Sequence, residues 1–384
     1  MIVFQRKYSS ISQQTFRENK DYYGYSIICA TIAITALLFT TQLLIQTFIF
    51  DKLIADRILS NCYLAIIILP IIGLLLIKPH LHSRIVFEYS LKFIMCFITI
   101  ITCTIILCMI LMLTADTFKF FSFVPIKNFI FGLNWNPQNA IEYADNLGII
   151  PLLSGTLLIT LIALAISIPL GLLSAVFIAE YLNKKYAELV KSIIEILAGI
   201  PTVVYGYVAA LFIAPQIRFL GQKLDIVISS ESALAAGVVM GIMLIPYIMS
   251  LSYEFIKTIP STLKDSSIAM GATKEEMILA VLIPTAWPGI IGGIIMAVSR
   301  AIGETMIVTM AAGLIARITF NPINSVTTIT AQIVSLVSGD QEFDSPQTLS
   351  APALAFTLFC MTLLLNIIAH KIITRFKRKM AYYA

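Results

Sequence analysis

Residues 260–310 decide how this chain is read: PSTLKDSSIAMGATKEEMILAVLIPTAWPGIIGGIIMAVSRAIGETMIVTM. The first half is polar and has the pattern of two short helices around a turn. Ser261 is placed to cap the first helix, and Ser266, Ser267 and Ala269 leave its surface open to close contact. Gly271 follows, a residue that takes the left-handed conformation in which helices end. Thr273 and Glu276 have the T-x-x-E spacing of a capping box, so a second helix is expected to start there and run toward Pro284. Taken alone, this is also the pattern of an ordinary helical connection between two membrane spans.

The second half is apolar with two opposite charges inside it. From Pro288, Arg300 lies about 18 Å along a helix, near the middle of a hydrocarbon core about 30 Å thick. Glu304 is one turn on and is expected on the same face. A charge at that depth costs at least about 2.5–3.5 kcal/mol on insertion scales, so both should face a bundle interior or a cavity. Two readings follow. Either Arg300 and Glu304 form a self-neutralising pair that locks helices together, or Arg300 offers its planar, permanently charged fork to a translocated oxyanion while Glu304 orients it. Beside the charges, Gly289, Gly293, Ala297 and Ala301 recur at every fourth position, a small-residue stripe that lets another helix approach closely.

Working outward, the 384 residues are 59% hydrophobic and 12% charged, with a mean hydropathy of +0.92. Soluble domains run about 45–50% apolar and about 25% charged, so this is not a soluble globule. Eight apolar spans are expected, near 25–50, 59–77, 90–114, 149–178, 194–214, 233–253, 285–313 and 351–371. Pro169 and Pro201 are expected to interrupt spans. Of the 26 Lys and Arg, 18 fall on the side of the N-terminus, seven on the other side, and Arg300 within a span. The positive-inside rule then places both termini and the loop in the 260s in the cytoplasm. The first apolar run is longer than a signal-peptide core and is expected to stay in the membrane.

The expected organisation has four parts. Residues 1–86 hold a cytoplasmic segment and two spans, and 87–148 hold a span and an extracytoplasmic segment. Residues 149–372 form the core with a cytoplasmic loop at 258–284, and 373–384 a basic cytoplasmic tail. The six cysteines lie inside apolar runs and the three histidines are scattered, so neither set has metal-site spacing. There is no P-loop, zinc pattern, nucleophile elbow or basic-aromatic surface for nucleic acid. The chain is therefore expected to hydrolyse no ATP itself, to need no cofactor and to act in the lipid bilayer.

Asp265-Ser266-Ser267, then Gly271, then VLIP at 281–284 resembles the "EAA" loop of the binding-protein-dependent, MetI-like ABC importer permeases. Serines stand for the two alanines and aspartate for glutamate. The resemblance implies a type I importer core in which this loop docks on an ATPase subunit through Asp265, Ser266, Ser267, Gly271 and Pro284. SRAIGETM at 299–306 is similar to the permease pair of bacterial phosphate importers, and FGLNWNP at 131–137 and EILAGIPTVVYG at 195–206 to its PstC-type member. The likeness covers roughly residues 120–372. It implies a second homologous permease subunit, two ATPase subunits and an extracytoplasmic phosphate-binding protein as partners, with phosphate passing Arg300, Glu304 and Thr305. The small-residue stripe would then pack in a permease dimer whose path lies between subunits. A permease for another oxyanion or small solute, or an ion-coupled secondary transporter, are the alternatives.

Overall fold

A computed structural model describes residues 83–139, 146–338 and 345–383; the expected spans at 25–50 and 59–77 lie outside them. Contacts divide the chain into two units, Met1–Leu111 and Met112–Ala384. The described part of the first unit is the opening stretch of helix α1 (Ser83–Phe123), where Met95, Ile98, Ile100, Leu107 and Met109 are exposed. An apolar rod of this kind suits lipid and not water. The helix continues well past position 114. Asp116 and Lys119 end the apolar run but pair at 3.7 Å one turn apart, and both stay helical.

In the second unit, α1 is followed by α2 (Ile126–Phe131), α3 (Ile150–Glu180), α4 (Lys184–Ala198), α5 (Thr202–Val208) and α6 (Ala214–Lys223). Then come α7 (Ala233–Thr258), α8 (Ser261–Ala269), α9 (Lys274–Met277), α10 (Ile283–Ile302), α11 (Met306–Ala311), α12 (Ile329–Val337) and α13 (Pro346–Tyr383). Wider π-helical turns at Ala209–Ile213 and Ile278–Leu282 join α5 to α6 and α9 to α10. Among the described residues, six helical runs are long and apolar enough to cross a membrane: Met95–Phe123, Ile150–Glu180, Thr202–Lys223, Ala233–Thr258, Lys274–Ile302 and Pro346–Thr374. The expected all-α, polytopic architecture is the one observed.

Among the described residues, the α3–α7 pair is the most extensive helix contact, and small residues set its spacing. A Cβ on Gly237 would come within 2.6 Å of Ile162 Cγ2, and one on Gly241 within 3.0 Å of the Ala163 carbonyl. With lipid outside, such close van der Waals packing is what holds helices together. The core around this pair takes in Ile159 and Ala163 of α3, Met240, Leu244 and Ile248 of α7, Ala297 and Ala301 of α10, and Ile307 and Val308 of α11. The stripe on α10 faces the same helix. A Cβ on Gly289 would lie 1.9 Å from the Phe255 ring, one on Gly293 3.3 Å from Leu251 Cβ, and Ala297 and Ala301 are buried. The close approach that these residues permit is therefore made by α7 of the same chain.

Two further span limits differ from the sequence reading. The run expected at 194–214 breaks at Pro201, which has φ −57° and ψ 137° and starts α5. The crossing stretch is Thr202–Lys223, and α4 is a separate amphipathic helix fastened by Lys191, 3.5 Å from both Glu195 and Glu254. Pro169, in contrast, stays inside α3. The run expected at 285–313 begins at Lys274 and stops at Ile302. Beyond α11 the chain crosses to α12 in irregular structure, with Gly313 at φ +82°. Its backbone is satisfied by the start of α7: Leu234 N–H donates to the Pro322 carbonyl at 2.7 Å and Ala233 N–H to that of Asn324 at 2.9 Å. Irregular backbone in a membrane protein persists where protein supplies its partners.

Candidate functional site

Glu304 does not continue α10. The helix ends at Ile302, and the Glu304 carboxylate turns to accept the N–H groups of Thr305 and Met306, each at 3.1 Å, at the start of α11. Those amides have no intrahelical acceptor, and a negative charge is favoured beside them. This corrects the expectation that Glu304 lies one turn beyond Arg300 on the same helical face. Glu304 is 7% exposed, and its carbonyl accepts the Thr330 hydroxyl at 2.6 Å. Thr330 in turn shares a hydrogen bond with Thr328, whose side chain caps α12. The starts of α11 and α12 thus meet at Glu304. Thr305 is half-buried in the same turn, its carbonyl accepting the Thr309 hydroxyl at 2.7 Å.

Arg300 occupies the last turn of α10 and is exposed. Because the helical run begins at Lys274, Arg300 lies about 39 Å along it, close to its end and not at its middle. The guanidinium carbon is 4.6 Å from the centre of the Tyr247 ring on α7. No ion pair forms between Arg300 and Glu304; the carboxylate is turned into the amides of α11. The ring face attracts the cation by about 0.5–2 kcal/mol through its quadrupole and uses none of the N–H donors. The N–H donors have no protein acceptor among the described residues, and a guanidinium is a group able to bind an oxyanion through two parallel hydrogen bonds.

At the far end of α10, α8 and α9 bracket Gly271, which has φ +93° and no atom within 4 Å of where a Cβ would stand. The capping box is complete: Glu276 N–H donates to Thr273 Oγ1 at 3.3 Å and Thr273 N–H to Glu276 Oε2 at 2.8 Å. Asp265 and Ser266 are exposed and Ser267 is buried. Leu263, Ile268 and Met270 are exposed as well, Met270 by 86%. Pro284, exposed, opens α10 directly after the π turn, where its missing N–H removes one helical bond. The base of this loop is held by α3. Lys264 pairs with the Glu180 carboxylate, and Lys274 Nζ donates to the Glu180 carbonyl at 2.7 Å while standing 4.4 Å over the Tyr181 ring.

Tyr247 and Glu180 were not singled out from the sequence. Tyr247 gives no local signal, being one aromatic in an apolar span. Glu180 does give one: it is a carboxylate in the last turn of a helix, where cations are the favoured charge.

Crossing helices, an arginine in the last turn of one of them, and an exposed helix–turn–helix at that helix's other end describe a polytopic membrane protein. Residues 167–382 match the family of binding-protein-dependent transport system inner membrane components, and the chain belongs to that family. It is an ABC importer permease, a multi-pass inner-membrane protein, and the family implies a separate ATPase subunit and a substrate-binding protein. A phosphate transport system permease protein PstC of Mesorhizobium japonicum is 31% identical over 263 residues, 65% of this chain and 78% of that one. PstC 1 of Mycobacterium tuberculosis is 30% identical over 286 residues, 65% of this chain and 82% of that one. The probable ABC transporter permease protein YqgH of Bacillus subtilis is 29% identical over 254 residues, 66% of this chain and 79% of that one. Among solved structures, an inward-facing MetNI methionine ABC transporter is similar at 19% identity and a TM-score of 0.43, covering 60% of this chain and 94% of that one.

Proposed function

We propose that this chain is one of two homologous permease subunits of an ATP-driven inorganic phosphate importer. The observation that carries the reading is Arg300, a guanidinium held against the Tyr247 ring with no carboxylate paired to it among the described residues. Relatives bearing the phosphate-permease name support it. In this reading an extracytoplasmic binding protein delivers phosphate, and two ATPase subunits seat on the α8–α9 loop. Their closure switches the path between outward and inward access, and Arg300 meets the anion with its free donors. No bond of the substrate is made or broken. The test is uptake of labelled phosphate by the reconstituted complex, with sulfate and molybdate as competitors. Uptake inhibited by unlabelled phosphate alone is expected. Transport of sulfate or molybdate in its place would move the chain to the other-oxyanion reading, which the generic name of the Bacillus subtilis relative leaves room for.

The loop is proposed to be cytoplasmic because of the 18-to-seven division of Lys and Arg. In a background lacking the six native cysteines, Met270→Cys should resist a membrane-impermeant thiol reagent in intact cells and Phe320→Cys should react. Both side chains are exposed, Phe320 by 82%, and they lie in the segments that precede and follow the crossing of α10. Labelling of Met270→Cys from outside would invert the topology.

A further inference from the structure

Two contacts converge on Glu180, and they come from both sides of the Gly271 turn. Lys264 belongs to α8 and reaches the carboxylate; Lys274 belongs to α9 and reaches the carbonyl of the same residue. The Glu180 side chain is only 10% exposed and that of Lys264 20%, so water screens this pair less than a surface one. Local helix preference would not place a carboxylate here, because the C-terminal end of a helix already carries partial negative charge. The two ammonium groups reverse that disadvantage, and Lys274 satisfies a terminal carbonyl that lacks an intrahelical donor. The tip of the loop differs from its base. A Cβ on Gly271 would meet nothing within 4 Å, and Met270 and Ile268 beside it are exposed.

The other end of α3 reaches the anion-site elements. Thr156 Oγ1 accepts the N–H of Ile329 at 3.3 Å, in the first turn of α12, and the next residue, Thr330, holds the Glu304 carbonyl. A Cβ on Gly155 would lie 2.1 Å from the Thr327 carbonyl, so α3 and the approach to α12 are in direct backbone contact. A helix of 31 residues, about 46 Å long, thus runs from the loop base to the turn that positions Glu304.

We infer that Glu180 is the positioning residue through which the α8–α9 loop drives α3. The two lysines make the loop base and the end of α3 one rigid body, so displacement of the free tip by an ATPase subunit is passed along α3 to α12 and Glu304. The inference rests on the proposed reading of the loop as the ATPase dock, and its test separates the two.

The reconstituted complex, with ATPase subunits and binding protein, is compared for wild type, Glu180→Gln, Lys264→Met, the exchange Glu180→Lys with Lys264→Glu, and Gly271→Leu. Three quantities are read: co-purification of the ATPase, ATP turnover, and labelled phosphate taken up per ATP. Glu180→Gln and Lys264→Met are expected to keep the ATPase bound and turning over while uptake per ATP falls about fivefold to tenfold, the scale of one coupling contact. The exchange restores the pair with its charges reversed and should recover most of that loss, whereas a merely structural clip would change the amount of assembled complex and leave uptake per ATP alone. Unchanged uptake per ATP in both single variants overturns the inference. So does poor assembly with wild-type uptake per ATP in the complexes that do form. Failure of the docking reading looks different: the wild-type chain would not retain the ATPase, or Gly271→Leu would leave all three quantities unaltered.

Discussion

Phosphate uptake per assembled complex should fall about 100-fold in Arg300→Gln, an activation difference of about 2.7 kcal/mol, within the range of a lost charge-assisted contact. It should not recover in the double variant with Glu304→Gln. Had the two side chains neutralised each other, removing both would relieve the unpaired charge that either single change leaves. The Glu304 carboxylate is instead bonded to the amides of Thr305 and Met306, so its loss adds a second defect. Glu304→Gln alone should lower the amount of assembled complex, since α11 keeps a polar cap without its charge, an effect of about 0.3–1 kcal/mol. Arg300→Lys should remain poor because a compact ammonium lacks the planar fork. Tyr247 gives an internal control. Tyr247→Phe keeps the ring face and should transport near the wild-type rate, whereas Tyr247→Leu should fall roughly tenfold as the guanidinium loses its support. Near-wild-type uptake by the double variant would take Arg300 out of the path.

The second large effect is expected at Gly271. Its φ of +93° costs a residue with a β-carbon about 1–2 kcal/mol, yet nothing within 4 Å would collide with one. Gly271→Leu should therefore reach the membrane at ordinary abundance. The branched side chain would project from the exposed tip, beside Met270, into whatever seats there. Uptake is expected to drop at least about tenfold, matching a misfit worth about 1.4 kcal/mol or more at the dock. Gly271→Asn, small and tolerant of the left-handed region, should be milder. Ordinary uptake and ordinary stimulated ATP turnover in Gly271→Leu would make the loop a plain connector.

What could be read in the sequence was what short-range chemistry decides. The turn at Gly271 and the capping box of Thr273 and Glu276 are fixed by residues within one helical turn of each other, and they are in place. The six described crossings follow from apolar length, which needs no knowledge of neighbours. The end of α10 was not readable, because apolar residues continue from Met306 onward and hide the break at Gly303. At that break the Glu304 carboxylate takes up the amides of the next two residues, in competition with helix continuation. The partner of the small-residue stripe was equally hidden, since the spacing declares close approach and not which helix approaches. Tyr247 under Arg300 is a contact between distant parts of the chain, and hydropathy carries no trace of it.

The bonds at the start of α7 bear on how the protein is made. Ala233 and Leu234 are among the first amides of that helix, which no earlier turn can satisfy. Their acceptors are the carbonyls of Asn324 and Pro322, which leave the ribosome only after α8, α9, α10 and α11 have been synthesised. During translation, α7 can insert with Ser232 covering the Ala235 N–H, while its two outermost donors wait in the headgroup region. The spine of α3 and α7 is thus assembled early from neighbours in the chain, and its rim is closed late by the strand of backbone that follows α11. A nascent chain stalled before Pro322 would hold a packed helical pair whose first two donors have only water to meet.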